Sequence, residues 1–264
     1  MLVIDSHCHL DAAEFDGDRD AVIARARLAG VGVQIVPAVA LSGFSRLKAL
    51  CASTSGLHAA YGLHPMFLAE HRPDHLDALR MWIEAEHPIA VGECGLDFFV
   101  DTLDADTQRM YLLRQLMLAR EFDLPVILHA RRAVEEIIAT VRAVGGLRGV
   151  VHSYSGSPEQ ARQLWNLGFC LGFGGPVTYG RAHRLRAIVA QMPVEFLLLE
   201  TDAPDQPLST HRGQRNEPGY LTEVLDCVAA LRKTDPQSLA TATTRNAQRL
   251  FGLAPHTRNL DPRT

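Results

Sequence analysis

Leu2-Val3-Ile4-Asp5-Ser6-His7-Cys8-His9 opens the chain with three apolar residues, an aspartate and a His-x-His pair. The apolar run reads as a buried strand. Because alternate residues of a strand point the same way, His7 and His9 would leave its end on one side, where a metal ion could take both imidazoles. A pair of core histidines satisfied by hydrogen bonds fits the octapeptide as well, so its meaning depends on what the rest of the chain sets beside it.

Moving outward, short runs rich in Val, Ile and Leu recur at 2–5, 33–36, 57–61, 89–92, 125–128, 148–151, 169–172 and 196–199. Between them lie amphipathic stretches with helical spacing at 17–29, 44–53, 73–86, 104–121, 132–143, 157–167 and 182–191, followed by 218–231 and 236–250. In 104–121, Leu112, Leu113, Leu116 and Met117 fall on one face and Arg114, Gln115 and Arg120 on the other. Strands apolar on both faces and alternating with helices pair in parallel through right-handed crossovers. Eight such units predict an α/β fold, a (β/α)8 TIM barrel, with a doubly wound open sheet as the alternative. No linker or repeat interrupts the pattern, so residues 1–252 are expected to form a single domain and 253–264 a poorly ordered tail. The Pro- and Gly-containing segment 202–220 reads as a long functional loop.

With 47% hydrophobic and 21% charged residues, the chain has the apolar material for a large core. A formal net charge of −4 argues against a protein that coats nucleic acid through a broad basic surface, but leaves room for a site that grips one phosphate. The five cysteines form no C-x-x-C pair and read as reduced core residues. No apolar run approaches the roughly 20 residues of a membrane span, and a cleaved leader would leave little room before His7. A cytoplasmic protein with no membrane contact and no obligate protein partner is expected.

Candidate ligands follow the predicted strands one after another: Glu93 after the fourth, His129 after the fifth, His152 after the sixth and Asp202 after the eighth. In a barrel these ends converge on the face where active sites of the fold lie. A single buried histidine at a strand end is usually a satisfied core residue, but His7, His9, Glu93, His129, His152 and Asp202 at one register form a set. Four imidazoles and two carboxylates exceed what one four-coordinate ion with an open position needs. They suit two divalent ions sharing a bridging carboxylate, with the ions about 3.5–4 Å apart. The only lysines, Lys48 and Lys233, lie at no strand end, so a modified lysine is not available and Glu93 is the candidate bridge.

Six stretches together resemble the TatD-type deoxyribonucleases of the metal-dependent (amido)hydrolase superfamily. They are Ile4-Asp5-Ser6-His7-Cys8-His9-Leu10, Gly62-Leu63-His64-Pro65, Val91-Gly92-Glu93-Cys94-Gly95-Leu96-Asp97, His129-Ala130-Arg131, His152-Ser153-Tyr154-Ser155-Gly156 and Leu199-Glu200-Thr201-Asp202-Ala203-Pro204. The resemblance implies a TIM barrel with two divalent metal ions (Mg²⁺, Mn²⁺ or Zn²⁺). One would be held by His7, His9, Glu93 and Asp202, the other by Glu93, His129 and His152. It also implies that His64 lines the cleft and meets the substrate phosphate. Arg131 could offer its planar fork to the same phosphate, or sit on the surface at a helix start. Asn216-Glu217-Pro218 matches a stretch near the mouth, or caps a helix. Two departures stand out. The family commonly continues its last aspartate as an Asp-Ser-Pro-Tyr type run, where this chain has Asp202-Ala203-Pro204-Asp205-Gln206-Pro207. Many members have Cys-Phe where this chain has Ser153-Tyr154. His58, His71, His75, His87, His183, His211 and His256 are read as ordinary surface or loop residues.

The implied activity is metal-dependent hydrolysis of a phosphodiester, of the 3′–5′ exonuclease type, acting on DNA ends or short oligonucleotides. Asp202 is the expected general base and Glu93 the bridging carboxylate. Ester or amide hydrolysis within the same superfamily, such as the deacylation of a D-aminoacyl-tRNA, is the alternative. A protein that binds metal without catalysis is the remaining class.

Overall fold

A computed structural model describes residues 2–254, so the tail expected at 253–264 falls, from residue 255 onward, outside the described residues. Eight strands alternate with eight helices: β1 (Val3–Asp5), α1 (Arg19–Leu28), β2 (Val31–Pro37), α2 (Phe44–Ser53), β3 (Leu57–Ala60), α3 (Asp74–Glu86), β4 (Val91–Asp97), α4 (Ala105–Glu121), β5 (Val126–Arg131), α5 (Val134–Val144), β6 (Gly149–Val151), α6 (Pro158–Asn166), β7 (Phe169–Phe173), α7 (His183–Gln191), β8 (Leu197–Leu199) and α8 (Leu221–Arg232). A further helix, α9 (Pro236–Phe251), follows. Strands β1–β3 and β4–β8 form two parallel ladders in sequential order. A parallel bridge between Tyr61 and Val91 joins them, and Ser6 N–H donates to the Leu199 carbonyl at 3.0 Å across the β8–β1 seam. The result is a (β/α)8 barrel.

The strands are apolar on both faces because each face has its own partner. Along β1, β6 and β8 the alternate residues Ile4, Val150 and Leu198 join an inner cluster with Val33, Ile35, Ala60, Ile127 and Cys170, while Val3, Val151, Leu197 and Leu199 pack outward in the cluster that includes Leu47, Leu79, Leu116, Ile137 and Leu164 of the helices. Ala247, Leu250 and Phe251 of α9 belong to the inner cluster and close it from below. That helix begins at Asp235, whose side chain accepts from Ser238 N, with Pro236 at its first position, and ends on Gly252 at φ 67°. Asn246 anchors it by donating to the carbonyls of Val194 (2.6 Å) and Leu197 (2.9 Å) beside the start of β8. Phe251→Ala, which empties a buried aromatic site in this plug, is expected to cost about 3 kcal/mol. Urea unfolding checks this, and the activity of the folded fraction should be unchanged because the plug lies at the end opposite the polar cluster.

β2, β4, β5 and, by one residue, β7 are longer than the apolar pattern predicts, and β4 and β5 bear on the site. β4 runs through Glu93 to Asp97 and β5 through His129 to Arg131, paired in register as Gly95↔His129 and Asp97↔Arg131. These polar residues therefore sit within strands and not beyond their ends. Polarity ended the predicted strands at 92 and 128, but the ladder continues because the polar side chains find partners inside the barrel mouth. Gly95 (φ 151°) allows the close pairing, since a Cβ there would stand 2.0 Å from the His129 carbonyl oxygen.

Candidate metal centre

Backbone hydrogen bonds fix the two segments that start the site. His9 N–H donates to the Ala203 carbonyl (2.7 Å) and Asp202 N–H to that of His7 (2.9 Å), so the His-x-His pair and Asp202 are set side by side. Beneath them Asp5, fully buried, accepts from Thr201 Oγ1 (2.6 Å), Thr201 N (3.0 Å) and His7 N (3.2 Å). Burial pushes its carboxyl up to about 7 against the pull of these bonds.

Glu93 is the centre of the cluster, and its two oxygens face different neighbours. Oε2 lies 3.1 Å from His7 Nε2 and 3.5 Å from His9 Nε2, and the same two nitrogens stand 3.5 and 3.6 Å from Asp202 Oδ1. Oε1 lies 2.8 Å from His152 Nε2, 3.1 Å from His129 Nδ1 and 2.9 Å from His64 Nε2. Burial would raise the Glu93 carboxyl, but the ring of imidazoles, His152, His64 and His7 foremost, holds it well below the usual range. Conversely, burial would lower His152, yet the Glu93 carboxylate lifts it to about 10. His7, stacked on His152 with centroids 3.9 Å apart, is pushed well down by burial and by that neighbour. The cluster demands positive charge, and it presents carboxylate oxygens and imidazole nitrogens, the donors that hold zinc and related divalent ions. His7 Nε2 and His9 Nε2 approach to 3.2 Å, as two lone pairs would around a shared cation. Three groupings, His7–His9–Asp202, His7–Glu93–His152 and His64–Glu93–His129, each bring their ligand atoms within 4.8 Å of one another. The donor set thus fits bound metal.

Hydrogen bonds behind two of the rings, His129 and His64, assign their tautomers. His129 Nε2 donates to Asp97 Oδ2 at 2.9 Å, which leaves the Nδ1 lone pair facing Glu93. His64 is the reverse: Nδ1 accepts from Met66 N at 3.1 Å, so Nε2 carries the proton and donates to Glu93. His64 lies inside the cluster, nearer than its place after β3 suggests, yet as a donor and not as a free lone pair. Behind His152, Glu200 is buried and accepts from Ser153 N at 2.5 Å, with Oε1 3.8 Å from His152 Nδ1. Gly172 makes room for it, because a Cβ there would meet Glu200 Oε2 at 2.0 Å. Burial raises the Glu200 carboxyl to about 8.

A cleft of about 850 Å³ opens over the cluster, lined by His9, His64, Glu93, His129, Arg131, His152, Asp202 and Gln206 and rimmed by Met66 and Phe67. Arg131 reaches this cleft. Its guanidinium carbon lies 3.6 Å from the centroid of the Phe99 ring and Nη1 4.0 Å from Asp97 Oδ2, so it is held at the mouth by cation–π contact. Asn216 is no helix cap. It is fully buried and donates to the carbonyls of Thr201 (2.8 Å) and Asp205 (2.9 Å), tying the long loop beneath Asp202.

Of the histidines read as surface or loop residues, His75 is buried on the inner face of α3 with Leu76, Leu79 and Ile83, a helical spacing that marks it as core. His71 is half-buried and its Nε2 meets the His64 carbonyl at 2.9 Å, supporting the cleft from behind. His58 lies within β3, His211 is stacked on Tyr220 and His256 falls outside the described residues. Lys48 and Lys233 stay remote, paired with Glu86 and capping α8. The residues the sequence reading left without a role are Asp97, Glu200, Ser153 and Gln206. For Asp97 a signal existed, since residues 93, 95 and 97 of a strand share a face.

The TatD related DNase family model matches residues 4–252. The chain is 42% identical over 253 residues to the metal-dependent hydrolase YjjV of Escherichia coli K12, covering 95% of this chain and 98% of that one. The solved structure of YjjV, described as a TatD homologue, superposes with a TM-score of 0.92 at 40% identity, covering 96% and 98% of the two chains. A Danio rerio relative provisionally named a deoxyribonuclease, tatdn3, is 32% identical over 260 residues, covering 94% of this chain and 96% of that one. Among the described residues no helix is long and apolar enough to cross a membrane.

Proposed function

The chain belongs to the TatD related DNase family of metal-dependent hydrolases, and from that premise we propose that it is a two-metal phosphodiesterase that removes nucleotides from the end of a DNA strand. The observation that carries this reading is the division of Glu93, whose Oε2 faces His7 and His9 and whose Oε1 faces His129 and His152. Divalent ions (Mg²⁺, Mn²⁺ or Zn²⁺), one held by His7, His9, Glu93 and Asp202 and the other by Glu93, His129 and His152, would polarise the phosphate and furnish a nucleophilic water at neutral pH.

The chain's own residues do the rest. Asp202 accepts the proton of the attacking water. Asp97 keeps His129 in the tautomer that leaves Nδ1 free, and Glu200 stands behind His152. The Arg131 fork at the mouth meets the non-bridging oxygens of one phosphate, and His64 Nε2–H, received by Glu93 Oε1 in this structure, would turn to the same phosphate once metal occupied that oxygen. One barrel domain, residues 1–252, carries the activity in the cytoplasm.

A single phosphate clamp in a chain of net charge −4 suits the end of a short strand better than long duplex. Binding of an oligonucleotide under inert metal should therefore fall with salt at a slope of about −0.7 per phosphate contacted, near one contact in total. Arg131→Ala is expected to raise KM about tenfold, the worth of one charge-assisted hydrogen bond at a half-exposed site, with metal content unchanged. The test is cleavage of 5′- and 3′-labelled oligonucleotides and circular DNA, beside an aminoacyl-tRNA ester and metal-free controls. Shortening from one end supports the proposal. Nicking of circular DNA with a steep salt slope overturns the end-directed reading, and cleavage of the acyl ester alone transfers the assignment to an ester hydrolase.

A further inference from the structure

The loops after β6 and β8, which carry Ser153 and the run Asp202–Pro207, are brought into contact by the fold. Ser153 Oγ lies 2.8 Å from Gln206 Oε1, and Gln206 Nε2 lies 2.5 Å from Asp202 Oδ2. A carboxylate that ligates metal is ionised, and the hydrogens of this chain follow from that. An ionised Asp202 only accepts, so the Gln206 NH₂ must face it. The amide oxygen then faces Ser153, whose hydroxyl must donate. We propose that Ser153 and Gln206 form a positioning relay that selects which oxygen of Asp202 meets the metal: Oδ2 is held by the amide, and Oδ1 is left to face His7 and His9.

A second observation independent of the bonds supports the relay. Ser153 (φ 45°), Asp202 (φ 57°) and Gln206 (φ 50°) are three of the seven non-glycine residues with positive φ among the described residues. All three members of the relay adopt a backbone conformation that L side chains avoid, as expected where surrounding structure fixes a functional arrangement. The surroundings are present: Asn216 Nδ2 lies within 3.2 Å of the Gln206 carbonyl, and Ser153 N is bonded to buried Glu200. The relay also forms part of the cleft wall, since Ser153, Asp202 and Gln206 all line it. Gln206 touches Asp202 and not the reacting atoms, so it acts through that carboxylate.

This inference rests on the metal reading above, and Mn²⁺ binding to the full-length metal-free protein, followed by electron paramagnetic resonance, separates the two. The wild type should bind two equivalents, and failure to bind any overturns the metal reading and the relay with it. Gln206→Leu should weaken the site that includes Asp202 by about tenfold or more, the scale of losing an outer hydrogen bond to a ligand, and leave the other site at wild-type affinity. Ser153→Ala, the milder change, should weaken the same site about threefold. In the Gln206→Leu background the serine change should add nothing, because the relay is already cut. With saturating metal, kcat should fall while KM for the oligonucleotide stays constant, a split that general loosening of the cleft would not give. Circular dichroism of each metal-free variant controls for folding. Wild-type Mn²⁺ affinity in Gln206→Leu, or independent multiplicative effects of the two substitutions, overturns the relay while the metal reading stands.

Discussion

Glu93→Gln is expected to lose both ions together and to lower turnover by about a thousandfold or more. The size follows from the chemistry assigned to the metals, worth several kcal/mol of transition-state stabilisation, with each 1.36 kcal/mol equal to a factor of ten. The joint loss follows from geometry. Both halves of the cluster share this one carboxylate, its Oε2 turned to His7 and its Oε1 to His152. Glutamine keeps the volume but has one acceptor where there were two, so one half of the cluster would meet an NH₂ group. It also removes the charge that lifts His152. Metal analysis after gel filtration, beside oligonucleotide turnover, checks this. A folded Glu93→Gln protein carrying two equivalents of metal would show that Glu93 is not shared. Loss of one equivalent alone would overturn the joint loss, the remaining amide oxygen being enough to hold the other ion.

The barrel was legible because its two apolar layers impose short strands apolar on both faces and helical stripes between them, neither of which depends on the site. The same pattern misjudged β4 and β5, where the inner face changes from Ala90 and Ile127 to Glu93, Asp97, His129 and Arg131 while the ladder runs on. The metal-site candidates were legible for a related reason. A strand end in a barrel has a known destination, so His7, His9, Glu93, His129, His152 and Asp202 could be assigned to one mouth before any distance was known, and the fold brings all six together.

What the sequence could not supply is the layer behind the cluster. The contacts of Glu200 with Ser153, of Ser153 with Gln206, and of His71 with the His64 carbonyl join loops or turns whose paths periodicity does not predict. His75 was misread because it follows no strand end, although its spacing with Leu79 and Ile83 matches the buried face of its helix. The tautomers of His64 and His129 depend on Met66 N and Asp97 Oδ2, partners two residues away on one side and one strand away on the other.

Asp202→Asn should reduce kcat by roughly 10²–10⁴, the range associated with losing a positioned general base. The surroundings of Asp202 make this substitution more severe than its near-identical shape suggests. Gln206 Nε2 already points its hydrogens at the Oδ2 position, so the asparagine would turn its carbonyl oxygen to Gln206. Its NH₂ would then occupy the Oδ1 position, 3.5 and 3.6 Å from the Nε2 atoms of His7 and His9. The variant thereby lacks the base and sets a donor where an acceptor is needed for the cation. These two losses can be separated. Raising Mn²⁺ to saturation should restore occupancy of the site but not kcat. The pH profile supplies a second readout: in the wild type kcat falls tenfold per pH unit once Asp202 is protonated, and that acid limb should be absent from the variant, whose amide does not titrate. If kcat recovers to near the wild-type value when the metal site is filled, Asp202 serves as a ligand only, and the proton of the attacking water must pass to another group in the cleft.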